Sequence, residues 1–178
     1  MTNMSNKHNI NQNKIVCESL REAIIILMES TEYSKITITE LCQKAGVSRM
    51  AFYNNYSSKD NLLKQVIFFQ TNRLIDQIGS PFREKTPKEW YVKLFEYIYV
   101  NNKYLKIIFN SGLKFEYLSA INDLVLHSTE IAVIDRYLRL MWAGGMVNTI
   151  IYWVESNLKA PVQDLAQFCF NNLSVWTK

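Results

Sequence analysis

Four side chains in a short run, Arg49, Met50, Tyr53 and Asn54, can together read a flat, polar, acceptor-rich surface. Arginine offers forked donors, asparagine a donor and an acceptor, and methionine and tyrosine apolar area. Their spacing puts them on one side of a helix. What would hold that helix is the pattern of Cys42, Gly46 and Phe52. Two helices that cross closely need a small residue at the crossing, here Cys42. Four residues on, a Gly lets the turn take a left-handed conformation. Six residues further, a bulky apolar residue must point back into the core, and Phe52 does. Leu41, Ala45 and Val47 complete the inner face. This is the spacing of a helix-turn-helix, whose second helix fits the major groove of DNA. A plain helical hairpin in which Gly46 only ends a helix has the same spacing, so spacing alone leaves both readings open.

The elements around this motif read as helices. Val16, Leu20, Ala23, Ile24, Leu27 and Met28 recur at three and four, which predicts an amphipathic helix from about residue 12 to 30. The polar, Asn-rich residues 1–10 before it are expected to be disordered. Thr37-Ile38-Thr39-Glu40 is a capping box for a short helix ending at Gly46, and Ser48 caps the next, to about Asn55. Ser57 or Ser58 caps a fourth, reaching about Ile78. Gly79-Ser80-Pro81 is the first break after it. The domains expected are therefore 1–78 and 79–178. Thr86-Pro87-Lys88-Glu89 has the form of another capped start, and Asn101-Asn102 and Ser111-Gly112 punctuate the helices after it. A long helix is expected over about 135–157, and Pro161 opens a last one ending near Trp176.

Composition narrows the function. The 178 residues are 48% hydrophobic with five Gly and three Pro, which suits an all-helical chain of about nine helices. The formal charge of +4 is weak support for a nucleic-acid partner, but residues 35–64 hold five basic residues against Glu40 and Asp60. Cys17, Cys42 and Cys169 are too few and too far apart for a disulfide framework and are expected as buried free thiols. With only His8 and His127 beside them, no metal or cofactor site is expected. No catalytic constellation stands out and no phosphate-binding Gly-rich loop is present, so the chain does not read as an enzyme. No apolar run is long enough to span a bilayer, and no signal-peptide core stands at the start; a cytoplasmic protein is expected.

Residues 36–63 resemble the DNA-binding domain of the TetR/AcrR family of bacterial regulators. The run Ala45-Gly46-Val47-Ser48, the pair Phe52-Tyr53, the aromatic Tyr56 three positions on, and Lys59 followed by Leu62-Leu63 stand in the family's register. The match extends over residues 15–78. Cys42 departs from the family's usual Ala but is still small. Asn54-Asn55 replaces a bulkier or basic pair, which bears on the DNA sequence that would be read. The resemblance implies that Arg49, Met50 and Ala51 face base edges, with the cap residue Ser48 also among the DNA-binding residues. It implies that Tyr53, Asn54 and Asn55 contact phosphate or flanking bases, and that Thr37, Thr39 and Lys59 contact phosphate.

Residues 79–178 hold 17 of the 23 aromatics. Trp90, Phe95, Tyr99, Tyr104, Phe109, Phe115 and Trp142 could line an apolar cavity or form an ordinary core. The resemblance implies a small effector here, expected to be apolar or aromatic. Gly145, Thr149 and Trp153 on one helix, with Phe168 and Asn172 on the next, are expected to form a homodimer interface. The resulting expectation is an all-α, two-domain homodimer with an N-terminal three-helix helix-turn-helix domain and a C-terminal helical domain. It would repress transcription from a palindromic operator until a small apolar effector releases it. The alternatives are a regulator, repressor or activator, switched by a protein partner, and a helical ligand-binding module whose motif is vestigial.

Overall fold

The computed structural model describes residues 2–82, 86–127 and 131–174, with the side chains of 2–12 outside the description. Among these residues every regular element is helical: α1 (Thr2–Met28), a 3-10 turn (Tyr33–Lys35), α2 (Ile38–Ala45), α3 (Arg49–Asn55), α4 (Lys59–Ile78), α5 (Lys88–Val100), α6 (Asn102–Asn110), α7 (Lys114–Val125), α8 (Val133–Glu155) and α9 (Val162–Leu173). The all-helical reading of the sequence is thus met. Residues 2–10 correct the expectation of a disordered lead-in, because they are the first turns of α1. No Gly or Pro interrupts the backbone ladder before Met28, so the helix propagates outward from its packed half. Trp176 lies outside the described residues.

The chain forms two compact units, Met1–Val66 and Ile67–Lys178. The division falls inside α4 rather than at the Gly79 break that the sequence suggested. Gly79 does end α4, but a helix can serve one core with its first turns and another with its last.

In the first unit α1 packs on α2 and α3. Leu20, Ala23 and Ile24 from α1, Leu41 and Cys42 from α2, Phe52 from α3, and Leu62 and Leu63 from α4 are buried. Cys17 is only half-buried, so just two of the three free thiols are interior as expected. Ser58, not Ser57, caps α4, its hydroxyl accepting from the Asn61 amide at 3.0 Å.

In the second unit α5 lies along α9, and α8 is flanked by α6, α7 and α9. The capping box read at Thr86 does not form. Pro87 precedes the first turn with no side-chain cap, and the Thr86 hydroxyl donates instead to the Pro81 carbonyl at 2.5 Å. No helix among the described residues is long and apolar enough to cross a membrane.

Gly46 sits at φ 67°, ψ 29° in the left-handed region. A Cβ there meets nothing within 4 Å, so only backbone strain opposes it. Gly46→Ala should therefore cost about 1–2 kcal/mol, measured by urea unfolding, with helix content unchanged.

Candidate nucleic-acid interface

The helix-turn-helix is assembled almost entirely from local hydrogen bonds. At the start of α2 the Thr37 hydroxyl accepts from the Glu40 amide at 3.2 Å, and the Thr37 amide donates to the Glu40 carboxylate at 2.9 Å. That reciprocal pair is the predicted capping box. At the other end the Gly46 amide donates to Gln43 O at 3.2 Å and the Val47 amide to Cys42 O at 3.0 Å. These two bonds close a Schellman turn, which needs the left-handed Gly. Ser48 then caps α3, accepting from the Ala51 amide at 3.0 Å.

The side chains divide as the spacing requires. Phe52 is fully buried, with Tyr53 edge-on at 5.3 Å and Tyr56 at 5.9 Å between ring centres. Cys42 is buried, and burial pushes its thiol pKa up while the Arg49 charge opposes the shift. Met50 is 75% exposed and Tyr53 is 50% exposed. Arg49 and Asn54 are exposed and Ala51 is half-exposed. α3 therefore offers a guanidinium, an amide and a phenol to solvent from a rigid, capped helix. Thr39 is exposed at the start of α2, and Thr37 is exposed with its hydroxyl in the cap.

Besides the capping hydroxyls of Thr37 and Ser48, two further residues implied as DNA contacts are engaged elsewhere. The Asn55 amide nitrogen donates to Ala51 O at 2.8 Å, and its oxygen accepts from the Cys17 thiol at 3.3 Å. Asn55 thus ties the end of α3 to α1. Lys59 donates to the carbonyls of Tyr33 and Ile36. Sequence placed both in the right neighbourhood but could not show that protein atoms already occupy their polar groups.

Residues 20–66, the span from the middle of α1 through the first turns of α4, match the family model described as bacterial regulatory proteins, tetR family. Over that stretch, about a quarter of its length, the chain is similar to the tetR family. Over 62 residues it is 32% identical to an uncharacterized HTH-type transcriptional regulator, YxbF, of Bacillus subtilis (strain 168). That stretch is 34% of this chain and 16% of the relative, so the likeness spans about one sixth of the relative's length. In fold, the whole chain is similar to a TetR transcriptional regulator from Streptococcus agalactiae 2603V, with a TM-score of 0.63 at 21% identity over 94% of this chain and 98% of that one. It is also similar to the dihydroxyacetone kinase operon activator DhaS, with a TM-score of 0.55 at 16% identity over 90% and 94% of the two chains. The fatty acid degradation regulator FadR from Bacillus halodurans gives a TM-score of 0.55 at 18% identity over 89% and 94%. The matching family model describes regulatory proteins.

In the second unit, the seven aromatics singled out do not form one lining. Trp90 and Trp142 are buried against each other at 5.8 Å, and Phe82 meets Trp142 edge-on at 5.0 Å. Phe95 packs edge-on against Trp153 at 5.3 Å, and Phe109 against Tyr117 at 5.3 Å. Tyr99 and Phe115 are exposed, Phe115 by 77%. The spacing that marks a helix face cannot say which rings will pack on one another. Tyr104 differs: its hydroxyl is buried with no hydrogen-bond partner, as is the Asn122 side-chain oxygen.

The expected dimer residues also separate. Trp153 is buried, its indole N–H donating to Ala160 O at 2.9 Å, so it is a core residue. Thr149, Trp153 and Phe168 do share one open groove of about 400 Å³ between α8 and α9, along with Tyr152 and Leu165. Gly145 is half-exposed and Asn172 exposed. The sequence reading missed Ile134, Tyr137, Met141 and Tyr152, which are exposed on α8. They recur at helical spacing with Gly145 and Asn148 between them, a signal present in the sequence but hidden by the equally apolar opposite face.

Tyr56 gives this unit a pH signature. Burial, reinforced by Cys17 and opposed by Arg21, pushes its pKa from the ordinary 10 to about 12. The unfolded chain ionises first, so this contribution to stability is intact below pH 10 and lost as pH rises towards about 12. Urea midpoints should fall across that window, and the fall should be shallower in Tyr56→Phe.

Proposed function

We propose that this chain is a transcription regulator that binds double-stranded DNA with α3 in the major groove. Two copies would read the two halves of a palindromic operator. The observation that carries the reading is α3 itself: Arg49, Met50, Tyr53 and Asn54 face solvent while Phe52, on the same two turns, is fully buried. A vestigial motif would have no reason to keep both caps, the left-handed Gly and a solvent-facing arginine together. Arg49 suits guanine, whose O6 and N7 match a forked donor, and Ser48, Ala51 and Asn54 lie beside it. Thr37 and Thr39 lie at the helix end whose free amides attract phosphate.

The homodimer is supported by the apolar stripe of Ile134, Tyr137, Met141 and Tyr152 along α8, continued by Phe168 on α9. Gly145 falls in the middle of that stripe, where a missing side chain allows close approach of a second helix.

For the signal, the reading is a repressor released by a small, mainly apolar effector. Tyr104 supports it, because a buried, unpartnered hydroxyl is a ready donor to one polar group of such a molecule. The second reading, a regulator switched by a protein partner, is favoured by the ring-on-ring packing of Trp90, Phe95, Phe109 and Trp142. An effector would have to open that packing to enter. DNA release by a small molecule added to the purified protein separates the two.

Arg49→Ala should leave thermal stability unchanged and cost about 1–3 kcal/mol of specific binding, concentrated at one base pair per half-site. The check is anisotropy titration on a site selected from random DNA; wild-type affinity would show that another residue reads the base. Gly145→Leu should weaken the dimer in light scattering and lower DNA affinity with it, since half-sites would then be bound singly. A clean dimer with unchanged affinity would remove Gly145 from the interface.

A further inference from the structure

We propose that Lys59 is a positioning residue: its ammonium group fastens the segment just before α2 to the first turn of α4 and thereby sets where the DNA-reading motif begins. The proposal rests on the DNA-binding reading above. It also replaces the phosphate contact that the family resemblance implied for this lysine.

The geometry is closed on several sides. Lys59 Nζ donates to Tyr33 O at 2.6 Å and to Ile36 O at 2.8 Å, and it lies over the Tyr33 ring at 4.3 Å from the centroid. The Tyr33 hydroxyl donates at 2.5 Å to Asp60, the next residue of α4. The first two residues of α4 therefore grip one tyrosine from both ends. Tyr33 and Ile36 are themselves buried, so their carbonyls lie in a segment with little access to water.

Location adds a second argument. A cation at the first residue of a helix faces the positive end of the helix dipole, which disfavours it. Backbone carbonyls and an aromatic face supply the compensating negative potential. If the ammonium left for a phosphate, Ile36 O would lose its lysine donor. Tyr33 O, which also accepts from the Ile36 amide at 3.2 Å, would lose its lysine donor too. Releasing buried acceptors opposes such a swap.

The consequence reaches the interface through one residue. Ile36 precedes Thr37, the cap of α2. Fixing Ile36 O to α4 fixes where α2 starts, and α2 carries α3 through the Gly46 turn. Loss of Lys59 should then misplace the reading helix without removing a charge from the DNA interface.

Salt dependence separates these roles, because removing one lysine–phosphate ion pair flattens the slope of log K against log salt by about 0.9. Wild type, Lys59→Met and Lys59→Arg would be titrated against the same DNA over a range of salt, with unfolding midpoints recorded. The expected result is that both variants bind about tenfold more weakly, with slopes parallel to wild type, because a guanidinium does not fit the cup that holds an ammonium. Amide resonances of residues 36–40 in the free protein should shift in both. The proposal is overturned if Lys59→Arg keeps wild-type affinity while Lys59→Met flattens the slope by about one phosphate's worth. If Lys59→Met does not fold, Lys59→Gln, which keeps a neutral donor, carries the slope measurement. Wild-type protein that selects no DNA would overturn the DNA-binding reading and this proposal with it, whereas the slope result overturns this proposal alone.

Discussion

The left-handed turn at Gly46 is the constraint on which the first unit depends. Two helices of eight and seven residues are too short to be stable in isolation. They persist because each end is closed locally and because the turn aims both apolar faces at α1. Were the turn to open differently, Phe52 would leave the core and the polar side of α3 would rotate away from solvent. One backbone conformation thus decides at once what is buried and what is offered to a ligand.

Local closure also explains the pattern of engaged polar groups. Thr37 and Ser48 commit their hydroxyls to caps, Asn55 commits its amide to α3 and α1, and Lys59 commits its ammonium to carbonyls. What remains exposed on α3 is held by a frame whose donors and acceptors are already matched. A rigid frame lowers the entropy lost when the free side chains order against a partner.

The second unit is built on a different principle. α8 is apolar on nearly all sides: Trp142, Ala143, Met146, Val147, Ile150 and Trp153 are buried, while Ile134, Tyr137, Met141 and Tyr152 are not. A helix with two apolar faces has one too many for a single small core. The spare face, together with the groove beside it, is the reason a second copy belongs in the reading of this protein. The interior face is filled by rings meeting edge to face, an arrangement favoured by their quadrupoles.

The motif was legible in the sequence because its determinants are local. Capping needs residues three apart, the turn needs one Gly, and the register of Cys42, Gly46 and Phe52 follows from helix geometry alone. Helix number was legible for the same reason. Tertiary structure alone decided the rest. It joined Lys59 to Tyr33 and Ile36 across more than twenty positions, and Asn55 to Cys17 across 38. It sorted the aromatics of the second unit into rings that pack on one another and rings that meet solvent. It also put the division between units inside α4. Periodicity shows that a helix has a face, but two faces of similar hydropathy carry the same periodic signal. Which one is buried depends on the partners that folding brings against it, and those partners are distant in the chain.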